Sequence, residues 1–256
     1  MKKFAVVSKD DEVSIKVAKT VQKRLIEKGL AYDDKQPEIV CIIGGDGTFL
    51  SAIHKYMSRL DQTLFTGIHT GTLGFFVDYT LKEMNDCIED IATKQPEIET
   101  KRLLKISLSS NQEFYAVNEA WIESFKTQHI NVQINDSQLE TFHGTGLVIS
   151  TQIGSTAYSR SAGGAIIQPG LETIQLSEIC GIHHSHYHSI GNPVIVSADT
   201  TIKLISQQFS HAKLCFDRYY IDLPEKQEIS CTLSNKKVQL AHYKPIDWIS
   251  RLQHLF

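Results

Sequence analysis

The residue types best suited to chemistry fall in one run, Ile39-Val40-Cys41-Ile42-Ile43-Gly44-Gly45-Asp46-Gly47-Thr48. Its apolar, β-branched first half reads as a strand covered on both faces. Glycines at the end of such a strand let backbone N–H groups approach a polyanion with no Cβ in the way, so Gly44, Gly45, Gly47 and Thr48 read as a phosphate loop. The loop lacks the Gly-Lys-Ser/Thr ending of a Walker loop, and its spacing is not G-x-G-x-x-G. Its one carboxylate, Asp46, suits phosphoryl transfer, where a loose transition state leaves the protein to align donor and acceptor and to neutralise phosphate charge. An aspartate with an ordinary pKa of about 3.9 is a weak base at neutral pH, yet it can orient a hydroxyl and accept its proton late. The plainer alternative is a strand-to-helix turn in which Asp46 caps the helix.

Three further segments set polar or aromatic groups among glycines. The first is Gly67-Ile68-His69-Thr70-Gly71-Thr72-Leu73-Gly74-Phe75, the second Val117-Asn118-Glu119. The third, Gly146-Leu147-Val148-Ile149-Ser150-Thr151-Gln152-Ile153-Gly154-Ser155-Thr156-Ala157-Tyr158-Ser159, continues into Ser161-Ala162-Gly163-Gly164. Tyr158 offers a stacking face and a hydroxyl, or is a half-buried strand tyrosine. Phe75 could close over a ligand or be plain core, and Asn118-Glu119 could be a polar pair at a strand end. A hydrolase reading of Ser155 fails, because Gly154-Ser155 lacks the second glycine of the G-x-S-x-G elbow. In His183-His184-Ser185-His186-Tyr187-His188, residues 184, 186 and 188 would share one face of a strand and could hold a metal, but a loop facing solvent or a subunit is the plainer account.

Gly44-Gly45-Asp46-Gly47-Thr48 matches the G-G-D-G-T signature shared by NAD kinases and by diacylglycerol and sphingosine kinases. The Gly146 to Ser159 block resembles the NAD-kinase stretch ending T-P-T-G-S-T-A-Y-S, a segment the lipid kinases lack. With the Asn118-Glu119 pair and the Gly67 to Phe75 turn, four matches in the same order cover most of the chain, and it resembles the compact NAD kinases of Gram-positive bacteria. The resemblance implies transfer of the terminal phosphate of ATP to the adenosine ribose 2′-hydroxyl of NAD, with Mg²⁺ carried mainly by the ATP phosphates. It implies that Asp46 is catalytic and that Asp46, Gly47, Phe75, Asn118, Glu119, Thr156, Ala157, Tyr158 and Ser161 contact NAD, joined by His143, Thr145, Cys180 and Arg218. NAD would lie on a β-rich domain with its phosphates meeting the Gly44 to Thr48 loop in a cleft. A homotetramer is implied as well. Two departures stand out. The family's Arg-Gly-Asp-Gly is His143-Gly144-Thr145-Gly146 here, which loses a carboxylate, and its Thr-Pro-Thr-Gly is Thr151-Gln152-Ile153-Gly154. The rivals are a lipid kinase of the same superfamily and a weakly active NAD-binding regulator.

The elements around these motifs fall into two textures. Phe4 to Val7 is a short buried strand; Val13, Val17, Val21, Leu25 and Ile26 mark a helix face closed by Gly29. Phe49 to Tyr56 reads as helical and Leu64 to His69 as a strand. Thr80-Leu81-Lys82-Glu83 has capping-box spacing ahead of a helix with Leu81, Met84, Ile88 and Ile91 on one face. This alternation predicts an α/β, Rossmann-like parallel-sheet domain over residues 1–98. Beyond Pro96 the period becomes two, in Leu104-Ile106-Leu108, Phe114 to Trp121, Ile130-Val132-Ile134 before an Asn135-Asp136 turn, Ile202 to Ile205, Leu214 to Leu223 and Ile229 to Leu233. A mostly-β domain over 99–239 follows, and a C-terminal helix with Trp248, Ile249, Leu252 and Leu255 or Phe256 on one face returns with 240–256 to the first domain.

Composition narrows the class. At 256 residues and 41% hydrophobic the chain can bury a sizeable core, while a net charge of −3 offers no basic surface for nucleic acid or an anionic membrane. Five scattered cysteines, none in C-x-x-C spacing, read as reduced packing residues. Neither a signal-peptide core nor a membrane-spanning run is present, and the expectation is a cytoplasmic enzyme.

Overall fold

Strand β1 (Lys3–Ser8) pairs in parallel with the two-residue β2 (Ala31–Tyr32) on one side and with β3 (Ile39–Ile43) on the other. The sheet continues in parallel from β3 to β4 (Leu64–His69) and from β4 to β5 (Tyr79–Thr80). Parallel neighbours need crossovers. Helix α1 (Glu12–Glu27) supplies the one after β1 and α2 (Asp46–Lys55) the one between β3 and β4, while β4 reaches β5 through the glycine-rich turn and α3 (Met84–Thr93) follows β5. The computed structural model describes residues 1–71, 74–183, 189–209, 211–245 and 247–253 and divides into two units, Met1–Lys101 with Lys236–Phe256, and Arg102–Asn235.

All five residues of β3 are buried, as a strand with helices on both faces requires. Ile39, Cys41 and Ile43 join Val21, Leu25, Cys87, Ile88 and Ile91 in one core. The alternate residues face the other way, where Phe65, in register with Val40, meets Phe49 of α2. Helix α1 begins at Asp11, whose carboxylate accepts the Ser14 N–H at 2.8 Å. It ends with Gly29 at φ +88°, the Leu30 N–H returning to the Leu25 carbonyl at 3.1 Å. The buried face of α1 is narrower than its apolar pattern: Val21 and Leu25 are covered, but Val13 and Ile26 are about half exposed, because the core reaches only the middle of the stripe. The Thr80/Glu83 capping box forms and starts a 3-10 turn that leads into α3, with Leu81 left at the surface.

In the second unit, β6 (Glu97–Leu108) pairs with β7 (Glu113–Ala116), and the strands that follow are β8 (Glu119–Ser124), β9 (Gln128–Ile134), β10 (Ser137–Gly144) and β11 (Gly146–Thr151). A 3-10 turn over Ile153–Thr156 and the one-turn helix α4 (Tyr158–Ser161) precede β12 (Thr173–Ile179), β13 (Val194–Ser197), β14 (Ile202–Ser206), β15 (Ala212–Phe216), β16 (Tyr219–Asp222) and β17 (Gln227–His242). One layer runs β10-β9-β14-β17, the other β13-β12-β11-β8-β15-β16, and every neighbouring pair in these two runs is antiparallel. Leu104, Ile106, Ile130, Phe142 and Ile229 from the first layer pack with Ile122, Leu147, Ile149, Leu176 and Leu214 from the second. The β9–β10 turn has Asn135 and Asp136 at φ +47° and +65°, which explains their residue types.

Two segments that read as single strands are each broken. Phe114 to Trp121 breaks at Val117-Asn118, and Leu214 to Leu223 breaks at Asp217-Arg218. The breaks bind each other, since the Val117 and Asn118 N–H groups both donate to the Asp217 carboxylate at 2.8 Å. Strand β17 runs far past Leu233, and from Lys236 on it belongs to the first unit, where its Gln239 and Leu240 pair in parallel with β4. The terminal helix α5 (Trp248–Gln253) starts with the Ser250 N–H on Asp247; Trp248 and Leu252 are half-buried and Ile249 is exposed. The expected positions Leu255 and Phe256, like Thr72, Leu73 and residues 184–188 of the histidine run, lie outside the described residues. Among the described residues no helix is long and apolar enough to cross a membrane, and the five cysteines are free thiols.

Candidate functional site

In the first unit the glycine loop delivers Asp46 as the first residue of α2. The N-cap is Gly45, with no side-chain cap, so Asp46 does not cap the helix as the plainer sequence alternative would have it. Its carboxylate turns instead to the second glycine-rich turn, accepting the Phe75 N–H on Oδ2 at 2.9 Å and the Phe76 N–H on Oδ1 at 3.2 Å. Gly74 makes this fit possible, because a Cβ there would lie 2.2 Å from Asp46 Oδ1. Phe76 stacks on Phe49 of α2 at 5.0 Å and fixes the turn to the helix, while the Phe75 side chain is half-buried. Burial pushes the Asp46 carboxyl above its ordinary value, although the two N–H groups, Arg251 and His69 pull the other way.

Gly44 is packed so closely that a Cβ would lie 2.3 Å from Thr48 Oγ1; Gly45 is half-buried and Gly47 exposed, at a helix start where the Thr48 and Phe49 N–H groups turn back to the Gly45 carbonyl at 2.9 and 3.1 Å. Such a start, with its dipole, favours an anion. His69, at the end of β4, donates from Nδ1 to the Gly71 carbonyl at 2.8 Å, and its buried Nε2 has no partner among the described residues. His69 falls within the Gly67 to Phe75 turn, where sequence alone assigns it no role. An unpaired buried ring nitrogen next to the phosphate loop adds it to the site.

In the second unit the broken strand at 117–119 forms a second polar centre. Thr151 Oγ1 donates to the Val117 carbonyl at 2.7 Å, and Gly154 lies against Asn118 so tightly that a Cβ would be 2.1 Å from the Asn118 carbonyl oxygen. Asn118 and Glu119 are both buried, yet Asn118 Oδ1 and Glu119 Oε2 have no partner among the described residues. Buried polar atoms without partners are uncommon and costly, so a pair of them points to a ligand. Burial and the Asp217 charge push the Glu119 carboxyl up to about 8, against the backbone N–H groups of Tyr158 and Ser159 that favour its anion. At neutral pH Glu119 is therefore mostly protonated and can donate. Tyr158 is partly exposed, with its ring 5.0 Å from that of Trp121. Thr156 and Ala157 are half-buried in the turn before α4, and Ser161 is exposed at its far end. Asp217 and Thr151 were absent from the expected site; the turn signal between two apolar runs at Asp217-Arg218 could have pointed to the first.

His143 is buried with its ring 3.8 Å from that of His129, and burial together with that neighbour lowers its pKa. Thr145 directs both its N–H and its hydroxyl at the Ile179 carbonyl, each at 3.1 Å. Cys180, at φ +48°, and Arg218 are exposed. Among the described residues no three His, Cys, Asp or Glu side chains converge as a metal site.

The fold is that of known nucleotide-phosphorylating enzymes. It is similar to the crystal structure of yeast NADH kinase complexed with NADH, with a TM-score of 0.83 and 19% identity over 99% of this chain and 86% of that one. An NAD kinase from Archaeoglobus fulgidus in complex with ATP gives a TM-score of 0.78 and 22% identity over 99% and 98%. At these identities the likeness is one of fold. Sequence adds the family. Residues 117–243 match the ATP-NAD kinase C-terminal domain, the NAD kinase of Geobacillus stearothermophilus is 34% identical over 99% of this chain and 96% of its own, and NAD kinase 1 of Oceanobacillus iheyensis is 35% identical over 99% and 97%. The chain belongs to the NAD kinase family.

Proposed function

We propose that the protein transfers the terminal phosphate of ATP to the adenosine ribose 2′-hydroxyl of NAD, giving NADP, and that Asp46 is the residue on which transfer turns. The observation that carries this reading is the Asp46 carboxylate itself: first in its helix, not used for capping, and held by the N–H groups of Phe75 and Phe76. A carboxylate fixed in this way can accept a hydrogen bond from the 2′-hydroxyl, aim its lone pair at the phosphorus, and take the proton as the new bond forms. Its raised pKa makes it a better acceptor while burial excludes competing water. The N–H groups at the start of α2 offset phosphate charge.

On the same reading Asn118 Oδ1 and Glu119 Oε2 receive polar groups of NAD, and Tyr158 supplies an aromatic face. Phe75, Thr156, Ala157, Ser161, His143, Cys180 and Arg218 complete the expected NAD contacts. Mg²⁺ would enter on the ATP phosphates and neutralise their charge. The enzyme is expected in the cytoplasm as a homotetramer, checked by fractionation and by light scattering.

The test is a coupled assay with Mg²⁺, ATP and NAD in which NADP is detected by an NADP-specific dehydrogenase. Asp46→Asn should abolish NADP formation while calorimetry shows NAD still bound, and turnover near wild type would overturn the assignment. Phosphate transfer to a long-chain alcohol and not to NAD would instead establish the lipid-kinase rival. A second reading, a weakly active NAD-binding regulator, is favoured by one observation: the hydroxyl of Thr145, which stands where the family carries a carboxylate, is turned to the Ile179 carbonyl.

A further inference from the structure

Arg251 is held by two acceptors that lie directly behind the catalytic aspartate. One guanidinium nitrogen donates to the Phe75 carbonyl and the other pairs with the Asp78 carboxylate. The carbonyl of Phe75 and the N–H of Phe76 belong to one peptide group, and that N–H donates to Asp46. The order of contacts is thus guanidinium, carbonyl, amide, carboxylate. A cation on the carbonyl oxygen polarises the amide and strengthens its N–H as a donor, since hydrogen bonds in series reinforce one another. The fork also fixes the turn in place, because a planar guanidinium that reaches two acceptors tolerates little rotation.

The far side of Arg251 is braced. Asp78 is buried, and its second oxygen takes His242 Nδ1 at 2.8 Å; His242 in turn places Nε2 3.3 Å from Glu99. Burial pulls the His242 pKa down, but the two carboxylates outweigh it and hold the ring charged, at about 9. Lys244 pairs with Glu83 and lies 3.5 Å from the Asp78 carbonyl. Asp78 therefore sits between two cations, and Arg251 is not free to swing away. Through this network Arg251 ties α5 to the Phe75 carbonyl and to Asp78.

We propose that Arg251 is a positioning residue for phosphoryl transfer, acting on Asp46 through the Phe75–Phe76 peptide. The inference rests on the reading of Asp46 as the catalytic residue. The charged or titratable groups facing Asp46 are Arg251 from α5 and His69 from the end of β4; Asp78, Glu99, His242 and Lys244 stand behind Arg251. Loss of Arg251 removes one of the two favourable charges and slackens the turn, so Asp46 becomes both harder to ionise and less well aimed.

The experiment compares steady-state kinetics over pH for wild type, Arg251→Ala and Arg251→Lys in the full chain, with thermal unfolding of each. Arg251→Ala should lower kcat by about 10- to 100-fold, as misplacement of a reacting group does, while KM for NAD stays within about twofold. The acid limb of its kcat profile should move to higher pH. Arg251→Lys keeps the charge without the fork, so its acid limb should stay near wild type while kcat recovers only in part. A purely structural role would lower the melting temperature and leave the limb where it is. Wild-type kcat and an unmoved limb in Arg251→Ala overturn the inference; should that variant fail to fold, wild-type kcat in Arg251→Lys does so. Asp46→Asn run alongside separates the two claims: if it is inactive and Arg251→Ala is normal, only the relay fails, whereas an active Asp46→Asn removes the premise.

Discussion

The two polar centres use one device with opposite charge. Asp46 and Glu119 are carboxyls that burial pushes up and that backbone N–H groups from a neighbouring turn pull down. Each centre also has a close-packed glycine, Gly74 against the Asp46 carboxylate and Gly154 against the Asn118 backbone. The neighbours differ. Asp46 has Arg251 and His69, which favour its anion, whereas Glu119 has Asp217, which disfavours it. The neighbouring charges thus favour the anion at the first centre and the neutral acid at the second. Burial alone does not set the role of a carboxyl; the sign of the nearest charge does.

The largest effect that tests this contrast is expected at Gly74. In Gly74→Ala the new methyl would meet the Asp46 carboxylate itself, so either the carboxylate or the turn must move. A displacement near 1 Å is enough to cost about 100-fold in kcat. Gly154→Ala would strike the Asn118 backbone instead, and its expected signature is a raised KM for NAD. If Gly74→Ala raised KM and left kcat unchanged, the division of labour between the two centres would be wrong.

Asp217 comes next. Asp217→Ala strands the buried N–H groups of Val117 and Asn118, each costing about 1 to 3 kcal/mol, and removes the anion beside Glu119. KM for NAD should rise by about tenfold, on the scale of that loss, with a much smaller change in kcat. The Glu119 carboxyl should then titrate lower, which carbonyl-labelled NMR or difference infrared spectroscopy can follow. An unchanged Glu119 titration would mean that Asp217 serves the backbone only.

The asymmetry also bears on what could be read from the chain. The Gly44 to Thr48 loop was legible because its geometry is local: an apolar strand, two glycines and a helix start are contiguous in sequence. So were the Asn135-Asp136 turn and the Thr80/Glu83 capping box, whose partners lie within a few residues. The contacts that set charge are not local. Asp217 reaches its two amides across about 100 positions and Arg251 reaches Phe75 across 176. No periodicity announces such pairs. The same limit makes Phe114 to Trp121 and Leu214 to Leu223 read as continuous strands, since the breaks are held by each other and by Thr151, all distant in sequence.

A smaller effect separates the two acids by pH. Glu119 has its pKa raised from 4.5 to about 8, so the folded state holds a proton that the unfolded chain releases, and Glu119 costs stability progressively as pH rises from about 4.5 to about 8. Glu119→Gln cannot ionise. Its melting temperature relative to wild type should therefore climb between pH 5 and pH 8, by several degrees if the difference reaches about 1 kcal/mol. A constant difference across that range would show that Glu119 is ionised throughout and that the second centre resembles the first.

The smallest effect is expected at Thr145, where the family's carboxylate is missing. Its hydroxyl and its own N–H both serve the Ile179 carbonyl, an oxygen with two lone pairs. In Thr145→Asp the N–H bond survives, but a carboxylate has no proton to give that carbonyl and is repelled by it, so the new side chain must turn away from the strand. If NAD supplies a hydroxyl on that side, the added hydrogen bond, worth about 0.7 kcal/mol net, should lower KM for NAD by about threefold and leave kcat unchanged. An unaltered KM would mean that the strand has taken over this position and that Asn118, Glu119 and their neighbours bind NAD without it. A wild-type protein that makes no NADP, together with a Thr145→Asp variant that does, would instead establish the regulator reading, with Asp46 intact and a single hydroxyl separating binding from transfer.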